Sequence, residues 1–214
     1  MKLIIIRHAQ SIANEEKRWQ GHMDYELTEK GKIQSYCLKE HFEKHNINSN
    51  MIYSSPLKRA LDTALLVFPE RKIIKIPDLI EGNSGVFSGK TNSEIQDKYP
   101  EFALQFKHTQ NFDIVPEAES RYELRKRAVN AMNFLIQGHN DDNVVSVVSH
   151  GGIMAFLLAV ILGTNRVWKL KIPNTAVFEF NINPDRWVSG DSLLNKIDSF
   201  EIIKFLDVSH LFTD

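Results

Sequence analysis

Leu3-Ile4-Ile5-Ile6 is an unbroken aliphatic run near the start of the chain, and Arg7-His8-Ala9-Gln10-Ser11 follows it directly. A run without polar alternation is typical of a strand that is buried on both faces of a parallel sheet. The polar residues after it then lie at the carboxyl end of that strand. Because ligands of open α/β sheets bind beyond the carboxyl ends of the strands, Arg7 and His8 are candidate site residues.

A second stretch of the same kind lies at residues 144–148 (VVSVV), the strongest strand pattern in the chain. Ser149-His150-Gly151-Gly152 follows it, and an apolar helix is predicted over residues 153–162. Glycine lets the backbone approach a ligand closely, and the first N–H groups of a helix attract an anion. We therefore expect His150 and Gly151 at the same edge of the sheet as His8.

The rest of the chain alternates between strand and helix patterns. Further strands are predicted at residues 51–53, 73–76, 177–182 and 200–205. Glu81 comes shortly after the second of these, at the start of a glycine-containing loop over residues 82–89. This alternation predicts an α/β fold, a three-layer α/β/α sandwich with a mostly parallel central sheet, and the length favours one domain over residues 1–214.

Several helices are indicated by their caps and their apolar spacing. Gly31, Ser35, Leu38 and Phe42 recur at helical spacing and form one stripe that can lie on a sheet. Ser55-Pro56 is predicted to open another helix, with Arg59 in its first turn. Capping boxes begin at Thr91 and at Ser120, so a helix is expected after each. Helices near residues 92–99 and 101–108 lie in the segment 82–119, which we expect to form a partial cover over the site.

Composition excludes several classes of function. The formal net charge is −1 and 25% of the residues are charged, so no overall positive field draws the chain to nucleic acid or to an anionic membrane. Cys37 is the single cysteine, which excludes an intrachain disulfide and a cysteine-built metal site. The apolar runs are shorter than the roughly 20 residues that a membrane helix needs. A cytoplasmic protein is expected, as a monomer or a homodimer.

The candidate residues also have plainer interpretations. Arg7 and His8 with Gln10, Ser11 and Asn14 could be a capping cluster at the end of a strand. Arg59 could be an exposed helix charge, and Glu81 could cap a loop. Six other histidines lie in polar or helical surroundings, where a surface position is expected: His22, His41, His45, His108, His139 and His210.

An ordered set of short motifs nevertheless resembles one known family, the histidine phosphatase superfamily, also called the phosphoglycerate mutase-like superfamily. The motifs are Arg7-His8-Ala9-Gln10-Ser11 with Asn14, Gln20-Gly21, Leu27-Thr28-Glu29-Lys30-Gly31, Ser54-Ser55-Pro56-Leu57-Lys58-Arg59-Ala60 with Thr63-Ala64, Glu81 with Gly85 and Gly89, Glu119-Ser120, Ser149-His150-Gly151-Gly152 and Asn174. The stretch from Gly89-Lys90-Thr91 to Glu94-Ile95 resembles the broad-specificity phosphatase branch of the family. The resemblance runs from Leu3 to about Val177.

The resemblance implies a role for each matching residue. His8 would take up the phosphoryl group, Arg7, Arg59 and His150 would hold the phosphate oxygens, and Glu81 would be the proton donor. Further phosphate or substrate contacts would come from Asn14, Gln20, Gly21, Gly151 and Asn174. The chemistry is consistent with these roles, because transferred phosphoryl groups spread negative charge over oxygens that arginine forks bind well.

The implied function is hydrolysis of phosphate monoesters of small metabolites, with neither a metal nor a cofactor. A phosphoglycerate mutase and a catalytically silent module that binds phosphorylated ligands are the alternatives. A metal hydrolase built on His8 and His150 would lack the clustered ligands that such sites use. One departure from the family pattern is Ala9, which stands where glycine is common and would be strained if that position required a positive φ.

Overall fold

A six-stranded sheet forms the centre of the described part of the chain. The structure is a computed structural model, and it describes residues 1–167, 170–187 and 199–212. The strands are β1 (Lys2–Arg7), β2 (Met51–Ser54), β3 (Ile73–Lys75), β4 (Val144–Ser149), β5 (Val177–Ile182) and β6 (Phe200–Asp207). Their order is β3-β2-β4-β1-β5-β6. The first four strands of this order pair in parallel, while β5 and β6 are antiparallel additions, so the prediction of a mostly parallel sheet is confirmed.

Helices connect the strands and cover both faces of the sheet. They are α1 (Ile12–Glu15), α2 (Glu29–Lys44), α3 (Lys58–Val67), α4 (Asn92–Lys98), α5 (Pro100–Thr109), α6 (Arg121–Gln137) and α7 (Gly151–Ile161). On β1, Leu3 and Ile5 pack with residues of α6 and α7, whereas Ile4 and Ile6 pack with residues of α2 and α3. Successive side chains of a strand point to opposite faces, so this division gives the three predicted layers.

The helix patterns read from the sequence are largely confirmed. The buried residues of α2 are Gly31, Ser35, Leu38 and Phe42, the four members of the predicted stripe. Both capping boxes are present, at Thr91 before α4 and at Ser120 before α6. None of the helices in the described ranges is both long and apolar enough to cross a bilayer.

Two local predictions are wrong. The helix after Ser55-Pro56 begins at Lys58, with Leu57 rather than Ser55 at the cap position. The Ser55 hydroxyl lies 2.7 Å from Nε2 of His150 and also accepts a hydrogen bond from the Leu57 N–H at 3.3 Å. His139 and His210 are buried rather than on the surface. Both ring nitrogens of His139 and Nε2 of His210 have hydrogen-bond partners, which offsets part of the cost of burying polar atoms.

The segment 82–119 packs around an apolar cluster of its own. Its buried members are Phe87, Ile95, Phe106 and Val115, and Trp19 packs against them from the loop after β1. Trp19 is also tied to the segment by backbone bonds with Gly89 and Lys90 and by an indole bond to Asn92. The segment is therefore anchored directly to the chain that follows the strand end at Arg7.

Candidate active site

The carboxyl ends of β1 and β4 lie side by side and bring two histidines together. In the parallel register Arg7 is opposite Ser149, so His8 and His150 leave the sheet at the same level. Their ring centroids are 5.0 Å apart. Both rings are buried, with exposed fractions of 1% for His8 and 0% for His150.

His8 is held in one tautomer by its own loop. Its Nδ1 lies 2.7 Å from the carbonyl oxygen of Ala9, and because a carbonyl only accepts, Nδ1 carries the proton and donates it. The other ring nitrogen, Nε2, then has a free lone pair. Burial, followed by the positive charges of Arg7 and Arg59, holds the pKa of His8 well below its ordinary value. The ring is therefore neutral at neutral pH, with Nε2 available as a nucleophile.

Arg59 is fully buried beside these histidines. Its guanidinium donates to the carbonyls of Met23 (2.8 Å) and Gly21 (3.0 Å) and to Nδ1 of His150 (3.2 Å). Burial lowers its pKa to about 10, so Arg59 stays charged at neutral pH. No carboxylate forms an ion pair with Arg59 within the described residues. A buried cation in this state favours an anionic ligand.

Arg7 adds a second guanidinium to the site. One terminal nitrogen donates to the carbonyl of Ile172, whereas the buried Nε has no hydrogen-bond partner among the described residues. Burial lowers the pKa of Arg7, and the negative charge of Glu81 opposes that shift. The Arg7 fork passes close to Gly151, where a Cβ would stand 3.5 Å from Nε.

His150 uses both of its ring nitrogens within the protein. Because Nδ1 accepts from Arg59, the proton is on Nε2, which donates to the Ser55 hydroxyl at 2.7 Å. Burial, then the charge of Arg59, lowers the pKa of His150 well below its ordinary value, so the ring is neutral. In this arrangement His150 orients Arg59.

Glu81 lies at the N-terminus of α7, the helix that follows His150. Its carboxyl oxygens accept hydrogen bonds from the backbone N–H groups of Gly152 (3.0 Å), Ile153 (3.0 Å) and its own neighbour Gly82 (2.9 Å). The group held at this helix terminus is thus a carboxyl side chain of the protein itself. A Cβ at Gly152 would overlap Oε1 of Glu81, so only glycine leaves room for this carboxylate.

The predicted amide residues form one hydrogen-bonded group around the loop after β1. Asn174 donates through Nδ2 to the carbonyl of His8 (2.9 Å) and to Oδ1 of Asn14 (3.1 Å). The Ser11 hydroxyl lies within hydrogen-bond distance of Oδ1 of Asn14 (3.1 Å) and of Oε1 of Gln20 (2.9 Å). Asn174 thus holds the backbone of His8 and contacts Asn14. Gln20 is linked to Asn14 by way of the Ser11 hydroxyl.

Comparison with known proteins identifies the family. Residues 3–191 match the sequence family described as the histidine phosphatase superfamily, branch 1. The chain belongs to this superfamily.

Related histidine phosphatases include proteins with two kinds of names. The "Metal-independent phosphoserine phosphatase" of Arabidopsis thaliana is 31% identical over 216 residues, which cover 98% of this chain and 83% of the relative. A "2,3-bisphosphoglycerate-dependent phosphoglycerate mutase" of Bartonella henselae is 25% identical, covering 90% of this chain and 97% of the mutase. Among solved structures, YhfR of Bacillus stearothermophilus superposes with a TM-score of 0.81 at 27% identity, covering 98% of each chain.

Two residues that support this histidine phosphatase site, Thr63 and His22, were assigned no role from the sequence. The buried Thr63 accepts from the Ala9 N–H (3.0 Å) and donates to the carbonyl of Arg59 (2.7 Å), so one hydroxyl joins the loop of His8 to the helix of Arg59. A signal existed, since Thr63 is four residues after Arg59 on the same helix face. His22 was expected to be a plain surface residue, yet its Nε2 lies 2.8 Å from the carbonyl oxygen of Glu81.

Ala9 carries none of the strain that a positive φ would cause. It lies outside the residues with positive φ, and its methyl group is fully buried.

Gly21, by contrast, has a φ of 52°, in the left-handed region that favours glycine. A Cβ at Gly21 would come within 2.7 Å of the Ser88 hydroxyl and 2.9 Å of the Ser84 nitrogen. The loop at Gly21, whose carbonyl accepts from Arg59, therefore packs tightly on the segment 82–119.

Metal-binding side chains are not grouped in the described part of the structure. No cluster of three or more His, Cys, Asp or Glu side chains there could hold a metal ion. Chelator resistance of the activity is the direct test of the prediction that the enzyme needs no metal.

Proposed function

We propose that this histidine phosphatase hydrolyses phosphate monoesters of small metabolites through a phosphohistidine on Nε2 of His8. The observation that carries the proposal is the state of His8. Its ring is buried and neutral, its Nδ1–H is bonded to Ala9, and its Nε2 is free. Burial, and then the positive charges of the half-buried Arg7 and the fully buried Arg59, lower the pKa of this ring. A nucleophile with fixed cations beside it suits attack on a phosphate ester.

The first chemical step transfers the phosphoryl group to the protein. The lone pair of Nε2 forms the N–P bond as the ester P–O bond breaks, and the Glu81 carboxyl gives its proton to the departing oxygen. Arg7 and Arg59 would hold the equatorial phosphate oxygens, with Asn14, Gln20 and the backbone at Gly21 and Gly151 as further donors. Asn174 would keep the carbonyl of His8 in place through its observed bond.

The second step releases phosphate. The Glu81 carboxylate takes a proton from water, the water oxygen bonds to phosphorus, and the N–P bond breaks to regenerate neutral His8. Glu81 thus returns to its protonated state and the cycle closes without another reactant. The role of His150 as a direct phosphate contact stays a prediction, since its observed bonds are to Arg59 and Ser55.

Phosphoserine is the first substrate to test, because the Arabidopsis relative is named a phosphoserine phosphatase. Incubation with radiolabelled phosphoserine, followed by quenching in denaturant, should leave label on the protein that is lost in acid and kept in alkali. His8→Ala should carry no label and show no turnover, whereas His108→Ala on exposed α5 should behave as wild type. Label or normal turnover in His8→Ala would overturn the mechanism.

Mutase activity is the second candidate, supported by the Bartonella relative. A mutase must keep water from the phosphohistidine until substrate reclaims the phosphoryl group, which needs a well-closed pocket. The segment 82–119, proposed as a partial cover, contains the short helices α4 and α5 and two single-turn 3₁₀ helices, Gly85–Phe87 and Phe112–Ile114. So small a cover favours access of water. The two activities separate when 3-phosphoglycerate and 2,3-bisphosphoglycerate are supplied together. Phosphate release should exceed formation of 2-phosphoglycerate, and the reverse ratio would establish the mutase.

The same proposal places the enzyme in the cytoplasm, which the single cysteine and the soluble metabolite substrates support. Cell fractionation would test this.

A homodimer stays a prediction for sedimentation analysis to decide. A catalytically silent module is disfavoured because His8, both arginines and Glu81 are all present at the site.

A further inference from the structure

Arg127, on α6, holds the backbone that leads into Glu81. One terminal nitrogen of its guanidinium donates to the carbonyls of Asp78 (3.0 Å) and Ile80 (2.8 Å), and the other reaches the carbonyl of Glu81 (3.4 Å). A single side chain therefore binds three carbonyls within four consecutive residues. An arginine fork has the rigid, planar donor set that such a contact requires.

The opposite side of the same guanidinium is fixed by Glu119. Nε of Arg127 lies 2.6 Å from Oε1 of Glu119, and Nη2 lies 2.7 Å from Oε2, which is a bidentate ion pair. The exposed fractions of the two side chains are 18% and 12%, so the pair is shielded from water. Shielded bidentate pairs are both stronger and more directional than exposed ones.

Glu119 also holds the chain just beyond Glu81. The N–H of Asn83 donates to Oε2 of Glu119 (3.3 Å), and the N–H of Glu119 donates to the carbonyl of Asn83 (2.9 Å). The pair thus grips the main chain on both sides of Glu81, at residues 78–81 through Arg127 and at Asn83 through Glu119. Neither charged group is bonded to the Glu81 carboxyl itself.

The position of the Glu81 carboxyl leaves little tolerance for a shift of that main chain. Its oxygens accept from three backbone N–H groups. They also lie so close to Gly152 that a Cβ there would overlap Oε1. Proton transfer to a leaving oxygen depends strongly on distance and alignment, and misplacement by about 1 Å can cost ~10²-fold in rate.

We propose that the Arg127–Glu119 pair positions Glu81 for proton transfer, so that Arg127 acts on the reaction only through Glu81. This inference rests on the proposed function, in which Glu81 protonates the leaving group. Arg127 is a positioning residue, since it contacts the backbone of Glu81 and not the reacting atoms.

Single-turnover phosphorylation of His8 tests the proposal with two esters, one with an alkyl leaving group and one with an acidic phenol leaving group. A phenol with a low pKa leaves with little protonation, so loss of the general acid affects it less. Arg127→Met should lower the rate of His8 phosphorylation by the alkyl ester at least tenfold more than the rate with the phenyl ester. Glu81→Gln should show the same difference between the two esters. In the Glu81→Gln background, adding Arg127→Met should lower the phosphorylation rate of the alkyl ester by less than a further twofold. The reason is that the group that Arg127 positions is already lost.

Two further variants keep the test decisive if Arg127→Met folds poorly. Glu119→Gln retains the volume of the side chain but removes the ion pair, and Arg127→Lys retains the charge without the fork. Both variants should also lose more rate with the alkyl ester than with the phenyl ester, by a smaller factor than Arg127→Met. Arg125→Met, on the same helix, is the matched control, because Arg125 donates to the carbonyl of Thr164 and lies outside the proposed machinery.

The outcomes separate this inference from the proposed function. Absence of acid-labile phosphate on wild-type His8 would overturn the proposed function as a whole. Normal phosphohistidine formation with equal losses for both esters, or with full additivity of Arg127→Met and Glu81→Gln, would overturn the positioning role alone.

Discussion

Nε of Arg59 donates a hydrogen bond to Nδ1 of His150 across 3.2 Å, although the two residues are 91 positions apart in the chain. This contact joins the first turn of α3 to the carboxyl end of β4. It also sets the tautomer of His150 and fixes a buried cation that has no carboxylate ion-pair partner among the described residues. Burial is the main cause of the lowered pKa of His8, and the charge of this cation adds to it.

Replacing Arg59 should remove a fixed charge from the transition state. We expect Arg59→Ala to lower kcat/KM by ~10²–10³, the loss found when preorganised charge-stabilising donors are deleted. Lys58→Ala is the control, since Lys58 is the neighbouring residue of α3 and pairs with Asp62 on the surface. Urea unfolding of both variants would show that the fold persists. A tenfold loss or less in Arg59→Ala would place Arg59 outside the reaction.

Adding one methyl group at Gly152 should displace the Glu81 carboxylate. The new Cβ would overlap Oε1 of Glu81, while Gly152 lies inside α7, where alanine is otherwise favoured over glycine. We therefore expect Gly152→Ala to slow alkyl ester hydrolysis roughly 10²-fold, which is the loss expected when a general acid is removed. The free energy of unfolding should not fall. Steady-state kinetics with an alkyl phosphate and thermal unfolding are the measurements.

Gly138→Ala, at the end of α6 and away from the site, controls for a general effect of replacing glycine in a helix. Unchanged kinetics in Gly152→Ala would mean that Glu81 works from another position than the one observed.

Stability should fall in mild acid in part because of His210. Burial, then the charge of His41, lowers the pKa of this ring to about 4. The folded value lies below the unfolded value of about 6.5, so the unfolded chain binds the proton first as the pH falls. The contribution of His210 is complete above about pH 7 and is lost as the pH falls from 6.5 toward 4. Between pH 7 and 5 it amounts to roughly 2 kcal/mol in the free energy of unfolding.

His210→Gln keeps an N–H donor for the Thr175 hydroxyl, to which Nε2 of His210 is bonded at 2.9 Å, and does not titrate. Urea unfolding at pH 7 and pH 5 should show a smaller loss of stability for this variant than for wild type. His108→Gln on α5 should follow the wild-type curve. Parallel pH profiles for wild type and His210→Gln would contradict the prediction.

The amino-acid sequence by itself determined the layer architecture and the core of the site. Alternating strand and helix patterns are local in the chain, so the sandwich, the α2 stripe and both capping boxes could be predicted. The buried run at Leu3-Ile4-Ile5-Ile6 and the valines of residues 144–148 were enough to bring His8 and His150 to one sheet edge. Parallel strands share an edge wherever they lie in the sheet, which is why this inference needed no coordinates.

Contacts between elements far apart in sequence were decided only by the tertiary structure. The Ser55 hydroxyl accepts from the Leu57 N–H near the helix start, as a local pattern allows, but its bond to His150 joins residues 95 positions apart. Arg127 reaches the carbonyls before Glu81 because α6 packs beside them, and His210 is buried because the chain end returns to Thr175. Hydrogen bonds of this kind depend on which elements become neighbours, and periodicity within a segment carries no information about its neighbours.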